Sequence, residues 1–285
     1  MMHIDLSFYL MTMPDFASGA VWLSLLTLTF LEIVLGVDNI IFISIAASKL
    51  PKEEQARATN IGLVLAMVMR IALLFGITWL IAMKDPWINI DLSWFHAGFS
   101  GQSLILIAGG IFLLYKSVTE IHEKLEGDHA EENGVERKKS TLSSAIVQIT
   151  LINIVFSFDS ILTAVGMTNG VEGALVIMII AVVFSVLIMM LFAVPVGRFV
   201  NRHPTIQMLG LSFLILIAFM LILEGGHLAN LSIFGSHIGV VPKGYLYFAI
   251  AFSLVVEFLN MKLRTKKEPI KLNSYSNAAE RKGVI

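Results

Sequence analysis

Long apolar segments alternate with short polar ones along most of the chain. A transmembrane helix needs about 20 mainly apolar residues, and seven segments of the chain meet this requirement. They run over residues 19–48, 60–83, 100–119, 143–167, 173–197, 206–224 and 244–262. The pattern predicts an all-α integral membrane protein with seven transmembrane helices, the first of which is long enough to tilt or to be interrupted.

The basic residues outside these segments fall almost entirely on one side of the predicted membrane. Of the 20 Lys and Arg residues, 17 lie on one side and two on the other, while Arg70 lies inside the second segment. Because cytoplasmic loops carry the excess of basic residues, we expect the amino terminus outside and the carboxyl terminus in the cytoplasm. Moving or deleting one segment would mix the two sets, so the split also favours seven helices.

Composition narrows the class of protein further. Hydrophobic residues make up 56% of the chain and charged residues 14%, and the mean hydropathy is +0.82. A net charge of −1 without a basic stripe excludes nucleic-acid binding, and the absence of Cys excludes disulfides, thiolate metal sites and thiol catalysis. Residues 1–16 contain no Lys or Arg and no small-residue cleavage site, so we expect neither a signal nor a transit peptide. This favours a multi-pass protein of the bacterial cytoplasmic (inner) membrane.

A ten-residue pattern occurs twice in the chain. The sequence EIVLGVDNII (Glu32–Ile41) aligns without a gap with NIVFSFDSIL (Asn153–Leu162), at an offset of 121 residues. The first copy lies in the first predicted helix and the second in the fourth, so the two copies cross the membrane in opposite directions. This arrangement is typical of secondary transporters with inverted-topology repeats, whose site lies near the midplane. We therefore predict a 3+3 inverted-topology repeat and a seventh helix without a counterpart.

Polar residues at the ends of the third and sixth helices agree with this repeat. Glu120 and His122 would end the third helix on the cytoplasmic side, whereas Glu224 and His227 would end the sixth helix outside. We regard these four residues as gating or coupling candidates. The predicted organisation is a first three-helix repeat (1–120), a charged cytoplasmic linker (121–141), a second, inverted three-helix repeat (142–227), an external loop with the seventh helix (228–262), and a basic, polar cytoplasmic tail (263–285).

The linker allows two interpretations. Its mixed charges are typical of a solvated connection between two halves of a protein. Alternatively, His122, Glu123 and His129 would capture a cation together with neighbouring acids.

Intramembrane carboxylates are the strongest functional signal in the sequence. A charge in the membrane interior costs a few kcal/mol, so the acids retained there are functional candidates, and Asp38 and Asp159 lie at mirrored depths. In a continuous helix Glu32 and Asp38 are separated by roughly 9 Å along the axis and by about 120° around it. They cannot share one ion while that helix is intact. Either the helix breaks near Gly36 and frees carbonyl oxygens as ligands, or Asp38 approaches Asp159 across the pseudo-two-fold axis with some local unwinding, and we expect the second.

The other polar groups in the predicted helices restrict which substrate the protein can bind. Arg70 is the one basic residue at mid-membrane depth and is either a structural counter-ion or a moving gate or coupling residue. The available ligands are carboxylate, amide, hydroxyl and backbone oxygens, which suit Mn²⁺, Mg²⁺ or Ca²⁺ better than Cu⁺ or Zn²⁺. No intramembrane His is placed to activate Ser157 or Ser160, so we do not expect an enzyme.

Four blocks in order resemble the TerC family of integral membrane proteins, named for tellurium resistance. The blocks are FLEIVLGVDNIIF, AIVQITLINIVFSFDSILTAVGM, RHPTIQMLGLSFLILIAFMLILEG and VPKGYLYFAIAFSLVVEFLN. The chain is similar to the short branch of the family, which lacks appended cytoplasmic domains. The resemblance implies a seven-span, two-repeat protein related to LysE-type exporters, and it implies manganese efflux, to which several family members are linked.

The resemblance also implies a set of metal ligands. The family usually has Asp at the position of Asn153, so this chain has one potential negative charge fewer, although an Asn carbonyl oxygen can still bind a hard cation. The implied ligands are Glu32, Asp38, Asn39, Asn153, Asp159 and Ser160.

Together these observations predict a secondary transporter that exports a divalent cation, with Mn²⁺ favoured, by alternating access. Protons are the expected counter-ion because carboxylates can exchange metal ions for protons. We expect the lipid bilayer as surroundings, no permanently bound cofactor and no nucleic-acid partner, and the sequence leaves the oligomeric state open. Two alternatives stay open: an exporter of a small organic cation or amino acid, and a non-transporting membrane scaffold in the response to metal or tellurite stress.

Overall fold

A computed structural model describes residues 12–76, 83–132, 141–168 and 171–263, without the side chains of residues 37–38 and 126–132. In this part of the chain the structure consists of long helices and one small sheet. The elements are α1 (Gly19–Ala47), α2 (Lys52–Phe75), β1 (Pro86–Leu92), β2 (Phe95–Ser100), α3 (Gly101–Glu132), α4 (Leu142–Met167), α5 (Ala174–Arg202), α6 (Pro204–Leu228), β3 (Ser232–Ile233), β4 (Ser236–His237) and α7 (Lys243–Leu263).

Seven helices among the described residues are long and apolar enough to span a membrane, which confirms the predicted fold class. The two largest extensions beyond the apolar segments are at the start of α2 and at the end of α3. Helix α2 begins at Lys52 rather than at residue 60, because Pro51 precedes it and the acidic Glu53 and Glu54 in its first turn favour a helix amino terminus. Helix α3 continues to Glu132, so the first part of the predicted linker is helical. Hydropathy thus locates the apolar part of each helix rather than its ends.

The helices pack most extensively in three pairs: α3 with α6, α1 with α5, and α2 with α4. In a two-fold repeat α1, α2 and α3 correspond to α4, α5 and α6. This exchange turns the α1–α5 pair into the α2–α4 pair and leaves the α3–α6 pair unchanged. The repeat and the orientation of the termini nevertheless remain predictions. The main apolar core lies where these helices meet and includes the fully buried Ile45, Ile149 and Leu211.

Glycines allow the closest helix contacts. A Cβ atom added at Gly110 of α3 would lie 2.7 Å from the carbonyl oxygen of Ala218, and one added at Gly225 of α6 would lie 2.8 Å from that of Ser103. Small residues at such crossings let two helix backbones approach each other. Gly36 has the same role in α1, where a Cβ atom would clash with the sulfur of Met189. Helix α1 is continuous through Gly36, so the alternative of a helix break there is wrong: this glycine serves close packing.

A four-stranded antiparallel sheet, in the order β1-β2-β3-β4, joins two loops of the protein. Strands β1 and β2 form a hairpin before α3, and β3 and β4 form a second hairpin between α6 and α7. The two hairpins are connected by the β2–β3 pairing of Phe95 with Ile233. The second hairpin turns at Phe234 and Gly235, both at positive φ, as a two-residue turn requires. We call this end of the helices the sheet side.

Candidate functional site

A small cavity lies among five of the seven helices. It has about 40 Å³ of free volume, and each of these helices places at least one polar or charged side chain at its wall, while the rest of the lining is apolar. The polar side chains are Asn39 of α1, Arg70 of α2, Asp159 of α4, Glu224 of α6, and Lys243 and Tyr247 of α7. The cavity therefore brings together polar and charged side chains that are distant in sequence.

Lys243 and Asp159 form the most direct polar contact at this cavity. The Lys243 Nζ donates hydrogen bonds to both carboxylate oxygens of Asp159, at 2.7 and 2.8 Å, and to the hydroxyl oxygen of Thr163 at 2.8 Å. Thr163 lies one helical turn after Asp159, so both oxygens are on the same face of α4. The ammonium group thus lies among three oxygen atoms, with the side chains of Lys243 and Asp159 partly buried, at 29% and 15% exposure.

Glu224 brings a second carboxylate to the same place. It lines the same cavity as Asp159 and Lys243, with its carboxyl group near enough to that of Asp159 to interact with it. Two carboxylates side by side repel each other unless a proton or a cation lies between them. The arrangement therefore favours bound positive charge.

Asn39 adds an acceptor that no described residue uses. The residue is 4% exposed, and among the described residues its Oδ1 has no hydrogen-bond partner. A buried carbonyl oxygen without a partner costs free energy, because it has lost its hydrogen bonds to water. Since Asn39 lines the cavity, its amide is a candidate ligand for a cation there.

Arg70 holds a second cluster next to the cavity. Its Nη1 forms an ion pair with Glu32, its Nε donates to Ser157 Oγ at 3.2 Å, and its Nη2 donates to Ser160 Oγ at 3.0 Å. All four side chains are buried. Arg70 therefore neutralises Glu32 and ties α2 to α1 and α4, which is the geometry expected for a structural counter-ion.

The predicted metal ligands divide into two groups accordingly. Asn39 and Asp159 line the cavity, whereas Glu32 and Ser160 bind Arg70. The cavity is thus only in part the site that the sequence predicts.

Two predicted ligands remain, Asn153 and Asp38. The Nδ2 of Asn153 donates to the carbonyl oxygen of Ile149 in its own helix, at 3.0 Å. The side chain of Asp38 lies outside the described residues, so its pairing with Asp159 stays a prediction.

The other gating candidates lie at opposite ends of the protein. Glu224 belongs to the cavity, and His227, close to it on the sheet side, has its Nδ1 3.1 Å from the carbonyl oxygen of Ile238. At the other end Glu120 is fully buried, and its Oε2 lies 2.8 Å from the Nζ of Lys49. His122 is exposed beside it.

The ion pairs of Lys49 with Glu120 and Glu123 change its pKa. Burial acts to lower the pKa of Lys49, but Glu120 and Glu123 together outweigh it and raise the pKa above the ordinary value of 10.5. Lys49 therefore stays charged and joins the end of α1 to α3.

Lys243 and Thr163 are the site residues that the sequence analysis missed. Lys243 falls just before the seventh apolar segment, yet it is the first residue of α7, and a cation at a helix amino terminus is unfavourable unless it has a partner elsewhere. Thr163 was predictable from its spacing of four residues after Asp159.

Within the described ranges, no three His, Cys, Asp or Glu side chains are grouped so that they could hold a metal ion. What the cavity offers is two carboxylates, one free amide oxygen and one ammonium group that already pairs with a carboxylate. Such a set can exchange one cation for another.

Comparison with known proteins places the chain in a family. It is 49% identical over 249 residues to the UPF0053 inner membrane protein YgdQ of Escherichia coli K12, an alignment that covers 87% of this chain and 95% of YgdQ. It is 44% identical over 247 residues to the UPF0053 inner membrane protein YoaE of the same strain, covering 86% of this chain and 43% of YoaE. No solved structure is significantly similar.

The names of these relatives and the seven membrane-spanning helices confirm a multi-pass protein of the inner membrane. The model of the Integral membrane protein TerC family matches residues 17–269, which is nearly the whole chain. The chain therefore belongs to the TerC family of integral membrane proteins.

Proposed function

We propose that this protein is a secondary transporter that exports a divalent cation, with Mn²⁺ favoured, by alternating access. The observation that carries the proposal is the cavity that Asp159, Glu224 and Asn39 line together, where the two carboxyl groups are near enough to interact. Ionisable groups kept at membrane depth are costly, and they mark ion pathways.

The nature of the donors supports a divalent metal ion. Carboxylate and amide oxygens are the ligands that Mg²⁺, Ca²⁺ and Mn²⁺ prefer. Met220 also lines the cavity, and a thioether is a softer donor than oxygen. Among the three ions, a softer donor favours the transition metal Mn²⁺.

The size of the cavity supports an ion over a larger cargo. Pockets for small organic molecules have volumes of roughly 300–1,000 Å³. The free volume here is about 40 Å³, which is enough for a metal ion with one or two water molecules. This favours metal export over the export of an amino acid or organic cation.

Protons are the counter-ion that the donors favour. Carboxylates must be ionised to bind a metal ion, so binding releases protons and protonation releases the metal. A proton gradient could therefore drive export through Asp159 and Glu224.

Inverted membrane vesicles provide the test. We expect vesicles that contain the wild-type protein to accumulate Mn²⁺ more than Mg²⁺, Ca²⁺ or Zn²⁺, and more so with a pH gradient. The Asp159→Asn and Glu224→Gln variants should lose this uptake, while Glu172→Gln, which changes an exposed acid, should retain it.

Two outcomes would overturn the proposal. In the first, both variants accumulate Mn²⁺ as well as wild type at equal expression. In the second, wild-type vesicles take up none of the four metals, which would favour a scaffold that acts through residues 121–141.

A further inference from the structure

We infer that the ammonium group of Lys243 takes the place of the transported cation in the conformation described here, and competes with the cargo for Asp159 and Glu224. The inference rests on the proposed function and adds to it a residue that controls the affinity of the site.

The contacts of Lys243 resemble those of a bound cation. Both carboxylate oxygens of Asp159 and the hydroxyl oxygen of Thr163 surround its Nζ at 2.7–2.8 Å. An ammonium group has three hydrogens, and these three acceptors use all of them. A metal ion bound by Asp159 would need the same oxygen atoms, so it cannot bind until the ammonium group leaves.

The formal charges of the site change accordingly. With Lys243 in place, the set of Asp159, Glu224 and Lys243 has a formal charge of −1. When the ammonium group withdraws, the two carboxylates leave −2, which matches a divalent cation. The neighbouring pair of Glu32 and Arg70 is neutral and does not alter this balance.

The position of Lys243 allows it to move. It is the first residue of α7, at the sheet side, where its side chain is 29% exposed. Within α7 the single buried residue is Ile250, so the helix has little buried surface to hold it in place. A cation at a helix amino terminus opposes the helix dipole, so this position does not stabilise α7 itself.

A purely structural role for Lys243 makes a different prediction. If Lys243 only ties α7 to α4, its removal lowers stability and leaves the affinity for metal ions unchanged or weaker. If it competes with the cargo, its removal strengthens binding. The affinity for Mn²⁺ therefore separates the two roles.

The experiment measures Mn²⁺ binding to the purified full-length protein in detergent by calorimetry. We expect Lys243→Met to lower the Kd by about tenfold or more, because close charge pairs couple at least this strongly. Lys243→Arg keeps the charge and should stay within about twofold of wild type, well inside that coupling. Lys84→Met, which changes an exposed Lys on the sheet side, is the matched control and should bind as wild type does.

A second variant and a second readout guard against misfolding. Lys243→Gln should also bind Mn²⁺ more tightly than wild type, and Mn²⁺ should raise the Tm of either variant more than that of wild type. Equal or weaker binding by the folded Lys243 variants overturns the inference.

The two proposals fail in different ways. Wild-type transport of Mn²⁺ together with unchanged affinity in Lys243→Met overturns only the competition by Lys243. Wild-type protein that neither binds nor transports Mn²⁺ overturns the proposed function and this inference with it.

Discussion

Arg70 and Glu32 form a buried ion pair that joins the second helix to the first. Arg70 also binds Ser157 and Ser160 of α4, so one guanidinium group holds three helices together beside the cavity. Removing one partner of a buried ion pair leaves the other charge buried and unpaired, which lowers stability. Replacing both partners by apolar residues leaves no buried charge.

Arg70→Met should therefore destabilise the protein by about 3–5 kcal/mol, because Glu32 would remain buried and unpaired. The double variant with Glu32→Met should recover most of that loss. Thermal or denaturant unfolding in detergent measures both effects. Additive losses in the double variant would contradict the ion pair.

Replacing Asn39 should separate binding from stability. Asn39→Leu removes the free carbonyl oxygen, so we expect the affinity for Mn²⁺ to fall roughly tenfold, equivalent to about 1.4 kcal/mol. Stability should be unchanged or higher, since a buried acceptor without a partner is lost. Titration with Mn²⁺ and thermal unfolding on the same samples test this, and a Leu variant with wild-type affinity would exclude Asn39 as a ligand.

Met220 should contribute to the choice of metal. Met220→Leu preserves the size of the side chain and removes the sulfur, so transport of Mn²⁺ relative to Ca²⁺ should fall severalfold while the protein stays folded. Competition between the two ions in inverted vesicles gives this ratio. An unchanged ratio would assign Met220 to packing alone.

Gly110 should tolerate no larger side chain. Gly110→Ala places a Cβ atom 2.7 Å from the carbonyl oxygen of Ala218, and the resulting overpacking should cost about 1–3 kcal/mol. Gly166→Ala is the matched control, because nothing lies within 4 Å of its added Cβ. The control should gain about 0.5–1 kcal/mol from the helix preference of Ala. Unfolding of the two variants side by side checks the difference.

Lys49 should make stability depend on pH in the alkaline range. Its pKa is higher in the folded protein than the ordinary 10.5, although burial acts to lower it, because Glu120 and Glu123 stabilise its charge. The ion pairs therefore contribute fully below the unfolded-state pKa and are lost as the pH rises through the folded-state pKa.

The stability difference between wild type and Lys49→Met should accordingly be constant up to about pH 10 and shrink above it. Lys84→Met serves as the exposed control. A difference that stays constant well above that pH would contradict the assignment.

The helices were predictable because burial in a membrane selects apolar composition over some 20 residues, which a sequence displays directly. Their ends were not, since the polar start of α2 at Lys52 and the charged end of α3 at Glu132 continue as helix outside the apolar segment. The small sheet escaped prediction as well, because β3 has two residues and pairs with a strand far away in sequence.

The cavity residues that lie in the repeated ten-residue pattern were predictable from the sequence. Asn39 and Asp159 occupy the two copies of the repeated pattern, and both line the cavity. The partners in the ion pairs were not predictable. Arg70 pairs with Glu32, and Lys243, at the start of another helix, pairs with Asp159. Such choices depend on helix packing, which local sequence does not specify.

The sheet limits how the protein can open. Hydrogen bonds between β2 and β3 fasten the loop before α3 to the loop after α6, and the Gly98 amide donates to the carbonyl oxygen of Ala229 at 2.7 Å. On the sheet side, the ends of α3 and α6 are consequently fastened to each other through the sheet. In the proposed transport cycle, the sheet side would therefore open at the flank that the sheet does not join, beside the first turn of α7 and its Lys243.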